Sequence, residues 1–275
     1  MIKKDCFHST WRKLLALVFA TIASALTVCA QTPVKPLKRE IIVGGDFDSF
    51  NFAGPAQALS LAYRADLNPE FALELDGYGY SRFGSDASRG GLSLTYSPTR
   101  RTSMTVGGSA GPSNPIAARG EGFAEIDHGI DVSEKGLIRG VELDYRQSWL
   151  WFQNSQVAVF SPGVIFYMPG DCMFLVRVHQ ARNDWKSLQS ANWTTGVSAR
   201  LVVPVSKHLT GDVFYANGAE NLALVDQVGR FSARTYGGGA RYRIGSHEIG
   251  THIYYQNRTL GQTQTTVSLG YAYRF

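Results

Sequence analysis

The chain has 275 residues and a formal net charge of +5, and its composition is 44% hydrophobic and 12% aromatic. This composition excludes a disordered chain, and the length allows one large all-β domain or two smaller domains. Beyond residue 30 the only cysteine is Cys172, which excludes a module held together by internal disulfides.

The N-terminal segment has the pattern of a secretory signal peptide. Basic residues precede an uncharged apolar run at 14–28, and Val28-Cys29-Ala30 fits a small-x-small cleavage site. We therefore predict a signal peptide at 1–30 and a short periplasmic lead-in at 31–38; an uncleaved anchor and lipidation of Cys29 are the alternatives. Cleavage would remove four Lys/Arg and one Asp, so the net charge would fall to 5 − 3 = +2, which gives little support for a nucleic-acid partner. No later apolar run is long enough for a helical membrane span.

Most of the remaining chain alternates apolar and polar residues with a period of two, which is typical of β-strands with one apolar face. The pattern is clearest at 265–275 and weakest near 120–130 and 229–243. Strands of this length suit a tilted bilayer crossing, and they must close into a barrel because lipid cannot satisfy an open edge. We predict an all-β fold, a single-chain transmembrane antiparallel β-barrel at 39–275 with about fourteen strands. Twelve strands, or a soluble sandwich, are the alternatives.

The predicted connections differ in length between the two ends of the barrel. Short turns rich in Pro, Gly and Asn occur at 67–69, 98–101, 131–136, 169–171, 204–208 and 245–247. Longer or more polar links occur at 51–56, 83–88, 111–119, 183–190 and 219–229. Outer-membrane barrels have short periplasmic turns and longer outer loops, so we expect both termini in the periplasm.

Aromatic residues are sorted between the two predicted membrane interfaces. Four tryptophans fall near predicted outer loops, as an aromatic belt requires: Trp149, Trp151, Trp185 and Trp193. Other aromatic residues fall toward the opposite rim: Tyr96, Phe166, Tyr167, Tyr242, Tyr273 and Phe275. This sorting favours the barrel over a soluble sandwich.

Three segments resemble the YaiO-like outer-membrane barrel family: residues 91–112, the Ser-Pro-Gly step within 160–167, and the C-terminal 270–275. The likeness spans most of 40–275, although larger relatives have helical repeats that this chain lacks. It implies outer-membrane residence and brings no settled substrate and no catalytic residues. The aromatic C-terminus also resembles the signal recognised during barrel insertion, here Leu269, Tyr271, Tyr273 and Phe275. We expect Pro162 to mark a β-bulge, because proline inside a strand cannot donate to the ladder.

The predicted inner face of the barrel is charged. Its candidate lumen-lining residues are Glu74, Asp76, Glu142, Asp144, Arg146, Arg177, Arg200, Arg241, Arg243 and Arg274. These charges would be costly in lipid and cost little in a wet lumen. Two hypotheses follow: acids and arginines pair across the interior and partly plug it, or opposed acidic and basic walls line a pore. The Gly237-Gly238-Gly239 run lacks the residues of a phosphate loop, and we expect it to permit a bend or a close approach in the wall.

Neither a catalytic nor a metal-binding pattern is recognisable in the sequence, so we expect no enzyme, no metal site and no cofactor. The predicted function is a passive or export channel for small polar or saccharide material in the outer membrane of a Gram-negative cell. The alternative is a structural, assembly or surface-binding barrel with a plugged lumen that acts through its outer loops. Expected partners are outer-membrane lipid, the barrel assembly machinery during insertion, and a saccharide or small polar solute, with no nucleic acid.

Overall fold

The structure is a computed structural model, and it describes residues 37–112, 118–153, 155–185, 191–219, 232–258 and 261–275. The predicted signal peptide lies outside the described residues, as does most of the lead-in, so both stay predictions. Within the described part of the chain, no helix has the length and hydrophobicity needed to cross a bilayer.

The described part of the chain folds into fourteen antiparallel strands that close into one barrel. The first seven are β1 (Arg39–Phe50), β2 (Ala56–Asp66), β3 (Phe71–Arg82), β4 (Ser85–Thr99), β5 (Thr102–Ala110), β6 (Gly120–Asp131) and β7 (Gly140–Trp151). The others are β8 (Ser155–Tyr167), β9 (Met173–Trp185), β10 (Ala191–Pro204), β11 (Leu209–Ala219), β12 (Ser232–Ile244), β13 (His247–Arg258) and β14 (Thr263–Arg274). The prediction of fourteen strands is confirmed, and the alternative of twelve is wrong.

Each strand pairs with its sequence neighbours, and β1 pairs with β14 to close the wall. Directly paired residues project to the same side of a sheet, so the register assigns every residue to one of two faces. On β14, Val267 and Leu269 are exposed on the outer face, and Thr266 and Ala272 are buried on the inner face. The period-two pattern of the sequence is therefore the alternation between an apolar outside and a polar inside.

The two ends of the barrel are distinguished by the position of the chain termini. The terminal end is the one at which β1 begins and β14 ends, and the loop end is the opposite one. The predicted contrast in link length is only partly correct. The link at 132–139 belongs to the terminal end, yet it is longer than the loop-end links at 83–84, 152–154 and 259–262.

Two local predictions are wrong. The link expected at 83–88 is a two-residue turn, because Phe83 and Gly84 both have positive φ (52° and 72°), as in a tight β-hairpin, and β4 begins at Ser85. Pro162 does not form a bulge, since β8 keeps one register against β7 and against β9. Instead, the β8–β9 ladder is interrupted at Ser161 and Pro162 without a shift.

Candidate functional site: the inner face of the barrel

The inner face of the wall is where the charged residues of the strands converge. All ten predicted lumen-lining charges lie on this face, opposite the exposed apolar residues: Glu74, Asp76, Glu142, Asp144, Arg146, Arg177, Arg200, Arg241, Arg243 and Arg274. The register produces this arrangement directly. For example, Glu125 is paired with Arg146, and Asp144 with Gly163, so both pairs project inward.

Inner-face glycines let large side chains lie flat against the wall. At six of them a Cβ would be closer than 3.0 Å to the side chain of the directly paired residue: Gly44 with Ser60, Gly91 with Asp76, Gly107 with Phe123, Gly163 with Asp144, Gly237 with Tyr254, and Gly239 with His252. The partner side chain therefore lies over the glycine backbone and not toward the barrel axis. We expected the Gly237-Gly238-Gly239 run to permit either a bend or a close approach, and the structure shows the close approach.

One continuous chain of charges of alternating sign follows the inner wall from β4 to β9. Arg89 lies 3.3 Å from Glu121, and Arg146 lies 3.6 Å from Glu121 and 3.4 Å from Glu125. Arg177 then lies 3.3 Å from Glu125 and also pairs with Asp144 (the distances join side-chain nitrogen and oxygen atoms). The ring of Phe123, flat over its glycine, supports the Arg146 guanidinium at 4.0 Å from the ring centroid. We call this the charge chain.

A second cluster occupies the inner face of β10–β13. His252 Nε2 lies 2.9 Å from Asp212 Oδ1, and Arg200 Nε lies 3.7 Å from Asp212 Oδ2. Arg200 also donates to the hydroxyl of Tyr254 at 3.3 Å and lies over the ring of Phe214. The rings of His252 and Tyr254 are parallel, with centroids 5.9 Å apart, above the two glycines of β12.

Further pairs lie near the terminal end. Arg274 Nε lies 2.7 Å from Glu40 across the β1–β14 seam, and Arg274 Nη2 lies 3.4 Å from Glu248. Arg243 also donates to Glu248 through Nε at 2.7 Å. The hydroxyl of Tyr167, which we expected at the membrane rim, instead faces inward and donates to Glu142 at 2.7 Å.

Every ion pair between described inner-face residues joins strands no more than three apart around the wall. The hypothesis of pairing across the interior is therefore incorrect for these residues, because the charges compensate one another along the wall. Three inner-face residues, Arg64, Asp76 and Arg241, are exposed and have no ion pair to a described residue. A simple division into an acidic wall and a basic wall is also incorrect, since the charge chain contains both signs.

The loop end of β7–β9 has a small apolar cluster on the inner face. Leu150, Val157, Val159 and Ala181 are buried there, and Ala118 from the β5–β6 link packs with them. The barrel interior is thus partly filled on this side of the loop end, while the charge chain continues toward the terminal end.

The register also brings together groups that sequence spacing does not reveal. Ligand oxygens of Glu125, Asp127 and Asp144 lie within 4.8 Å of one another, which is a carboxylate set of the kind that hard cations use. Arg177 pairs with two of these carboxylates, so their charge is already compensated within the wall. His179 is a second case: its Nδ1 lies 3.0 Å from Ser161 Oγ and its Nε2 lies 3.0 Å from Ser198 Oγ.

Sequence reasoning missed Arg89, Glu121, Glu125 and Asp127 of this inner face. The last three lie at alternate positions of β6 together with Phe123, but half of the opposite positions are small (Gly120, Gly122 and Ala124), so the apolar face gave a weak signal. Arg89 lies just after the segment that was expected to be a loop. A polar face that alternates with Gly and Ala is therefore a usable signal for a barrel strand.

The predicted aromatic and insertion residues lie on the outer face. Trp149 and Trp151 at the end of β7, and Trp193 near the start of β10, are exposed at the loop end; the side chain of Trp185 is outside the described residues. The C-terminal residues Leu269, Tyr271, Tyr273 and Phe275 are exposed in one outward row that ends at the terminal end. Their predicted roles in membrane anchoring and insertion stay predictions.

No protein-family model matches the chain, and no curated protein matches it. Solved structures do resemble it. Pseudomonas aeruginosa OpdQ is 10% identical with a TM-score of 0.50, and the match covers 88% of this chain and 99% of that one. A deletion mutant of TodX, described as a monoaromatic hydrocarbon channel, is 10% identical with a TM-score of 0.53, over 88% of this chain and 90% of that one. At this level of identity the likeness shows a shared closed-barrel fold.

Proposed function

We propose that this chain is a channel of the Gram-negative outer membrane that passes small polar solutes, including saccharides, through its lumen without catalysis. The observation that supports it is the inner face itself. Its charges lie flat over glycines or pair along the wall, and Arg64, Asp76 and Arg241 remain exposed. Fourteen strands enclose a wider interior than an eight-stranded barrel, in which side chains fill the space. The likeness in fold to TodX, a monoaromatic hydrocarbon channel, supports this proposal.

Single-channel recording tests the proposal. The full chain is refolded in detergent and inserted into a planar bilayer. We expect discrete conductance steps in potassium chloride and flux of small sugars into liposomes. A barrel that inserts, as judged by protease protection, and yet passes neither ions nor sugars would contradict the proposal. The loop-acting alternative would then be preferred.

We further propose that the terminal end faces the periplasm and that the C-terminal row of outward aromatic residues is read by the barrel assembly machinery. Phe275→Ala should lower the amount of barrel inserted in cells and leave refolding in detergent unchanged, because it removes the outward ring and keeps the two backbone hydrogen bonds between residue 275 and Arg39. Equal insertion of both forms in cells would contradict this role. The resemblance to the YaiO-like family is likewise a proposal that depends on the three sequence segments.

A further inference from the structure

A cluster of aromatic rings and guanidinium groups lies at the loop end of the lumen, where β1, β3 and β13 end. It consists of Phe50, Phe52, Phe83, Arg82 and Arg258, and we call it the mouth cluster. The three rings contact one another, with centroid separations of 5.3, 5.4 and 6.3 Å. Arg258 lies over the ring of Phe52 at 5.7 Å. None of the charge-chain residues belongs to this cluster.

Arg82 is the unusual member of the mouth cluster. Its guanidinium carbon lies 4.9 Å from the ring centroid of Phe50 and 4.7 Å from that of Phe83, and the residue is only 9% exposed. Its Nε and Nη2 atoms are buried and have no hydrogen-bond partner among the described residues. These two donors form one edge of the guanidinium, the edge that binds an oxyanion side-on through two parallel hydrogen bonds. Leaving such donors unpaired is costly.

The backbone conformation of Phe83 in the mouth cluster is also energetically unfavourable. Its backbone φ is 52°, a conformation that the turn normally assigns to Asn, Asp or Gly and that is unfavourable for a bulky side chain. The rings of Phe52 and Phe83 are nevertheless 39% and 38% exposed at the loop end. The cluster thus presents apolar rings to the entrance of the lumen directly above Arg82, whose Nε and Nη2 have no partner among the described residues.

The second arginine of the cluster, Arg258, is bound by neutral amide groups. Arg258 donates to the amide oxygens of Gln256 and Gln264, each at 2.7 Å. Gln264 in turn donates to Asp48 at 2.8 Å, and Asp48 is also bound by a threonine of β14. The carboxylate of this network is therefore engaged on the β1–β14 side, and two guanidinium groups face the rings.

We propose that the mouth cluster is a binding site for an oxyanion attached to a flat apolar group, such as an aromatic carboxylate or an aryl phosphate. The oxyanion accepts from Nε and Nη2 of Arg82, and its ring packs between Phe52 and Phe83, which turn aside to admit it. This site deepens the proposed function, because its ligand is a solute that enters the channel from the loop end.

Calorimetric titration of the full chain refolded in detergent micelles tests the site directly. The probes are benzoate and phenyl phosphate, with acetate and benzyl alcohol as probes that lack the ring or the charge. We expect at least one aromatic oxyanion to bind about tenfold more tightly than acetate and benzyl alcohol. Tighter binding of benzoate identifies a carboxylate site, and tighter binding of phenyl phosphate a phosphate site. Equal affinity for all four probes would overturn the proposal.

Three variants complete the test. Arg82→Gln should weaken the aromatic oxyanion by about tenfold or more, because it removes the charged fork. Arg234→Gln, which makes the same change on the outer face of β12 near the loop end, should leave the affinity unchanged. If Arg82→Gln does not fold, Phe52→Leu decides: a several-fold loss for benzoate with unchanged acetate binding supports the site, and unchanged binding of both overturns it. Binding without conductance would reject the channel and keep this site, whereas conductance without binding would reject only this site.

Discussion

At the scale of single residues, the inner-face glycines decide where their partners' side chains lie. Gly239 is covered by the imidazole of His252, which is held at 2.9 Å from Asp212. Gly239→Ala places a methyl group where the imidazole lies, so His252 must turn toward the lumen. We expect a loss of about 1–3 kcal/mol in the free energy of unfolding, measured in urea by tryptophan fluorescence.

The matched control for this change is Gly77→Ala, the same substitution at a strand glycine that no side chain covers. Gly77 lies on the outer face of β3 with nothing within 4 Å of its Cβ position. Its replacement should change the free energy of unfolding by less than about 0.5 kcal/mol. Equal free energies of unfolding for Gly239→Ala and Gly77→Ala would show that the position of the His252 side chain does not require a glycine at 239.

Asp144 tests how strongly the charge chain is embedded. The residue is 4% exposed and pairs with Arg177. Loss of its charge would leave the largely buried guanidinium of Arg177 with one carboxylate partner fewer. Asp144→Asn should therefore lower the free energy of unfolding by about 3 kcal/mol. Asp131→Asn, which breaks an exposed pair with Arg101 near the terminal end, should cost less than about 1 kcal/mol. Equal costs for the two variants, measured in urea, would show that the charge chain is fully solvated.

At the scale of elements, β8 shows how a strand tolerates a proline. The proline at 162 has no N–H, and the β8–β9 ladder is interrupted there. His179 compensates, because its two ring nitrogens bind Ser161 on β8 and Ser198 on β10 at 3.0 Å each. His179 therefore joins three strands across the interruption.

His179→Ala should accelerate amide hydrogen exchange in β8 and β9 by about tenfold or more, because two hydrogen bonds of about 1 kcal/mol each are lost. His128→Ala is the control, since His128 contacts Thr102 on the outer face where the β5–β6 ladder is continuous. Exchange that increases equally in both variants, or in neither, would show that the β8–β9 seam does not need the histidine.

At the scale of the whole molecule, the proposed channel function predicts that the inner face sets ion selectivity. Arg64, Asp76 and Arg241 are the exposed inner-face charges with no ion pair to a described residue, and Asp76 and Arg241 provide one test residue of each sign. One unit charge at 4 Å in water contributes about 1 kcal/mol, which changes the local ion concentration by at most about fivefold. Asp76→Asn should shift the reversal potential in a potassium chloride gradient toward anions, and Arg241→Gln should shift it toward cations. Arg234→Gln on the outer face should not shift it, and shifts of the same sign for the two lumen variants would contradict this assignment.

The fold could be predicted from the sequence to a large extent, because strand alternation is a local property. Fourteen strands and the inward direction of all ten predicted charges follow from the covalent geometry of an extended chain, in which successive side chains point to opposite faces. The prediction failed where local rules compete. Phe83 occupies a turn position with positive φ that sequence statistics assign to other residues, and Pro162 keeps the register that a bulge would have changed.

The sequence by itself thus determined which face of the wall most strand residues occupy and that the wall must close. Only the tertiary structure decided which inner-face residues meet. Arg177 reaches Asp144 over Gly163, and Arg82 lies between rings of β1 and the β3–β4 turn. The physical reason is that facing depends on one strand alone, whereas contact depends on the register between strands, which is fixed jointly by every ladder around a closed barrel.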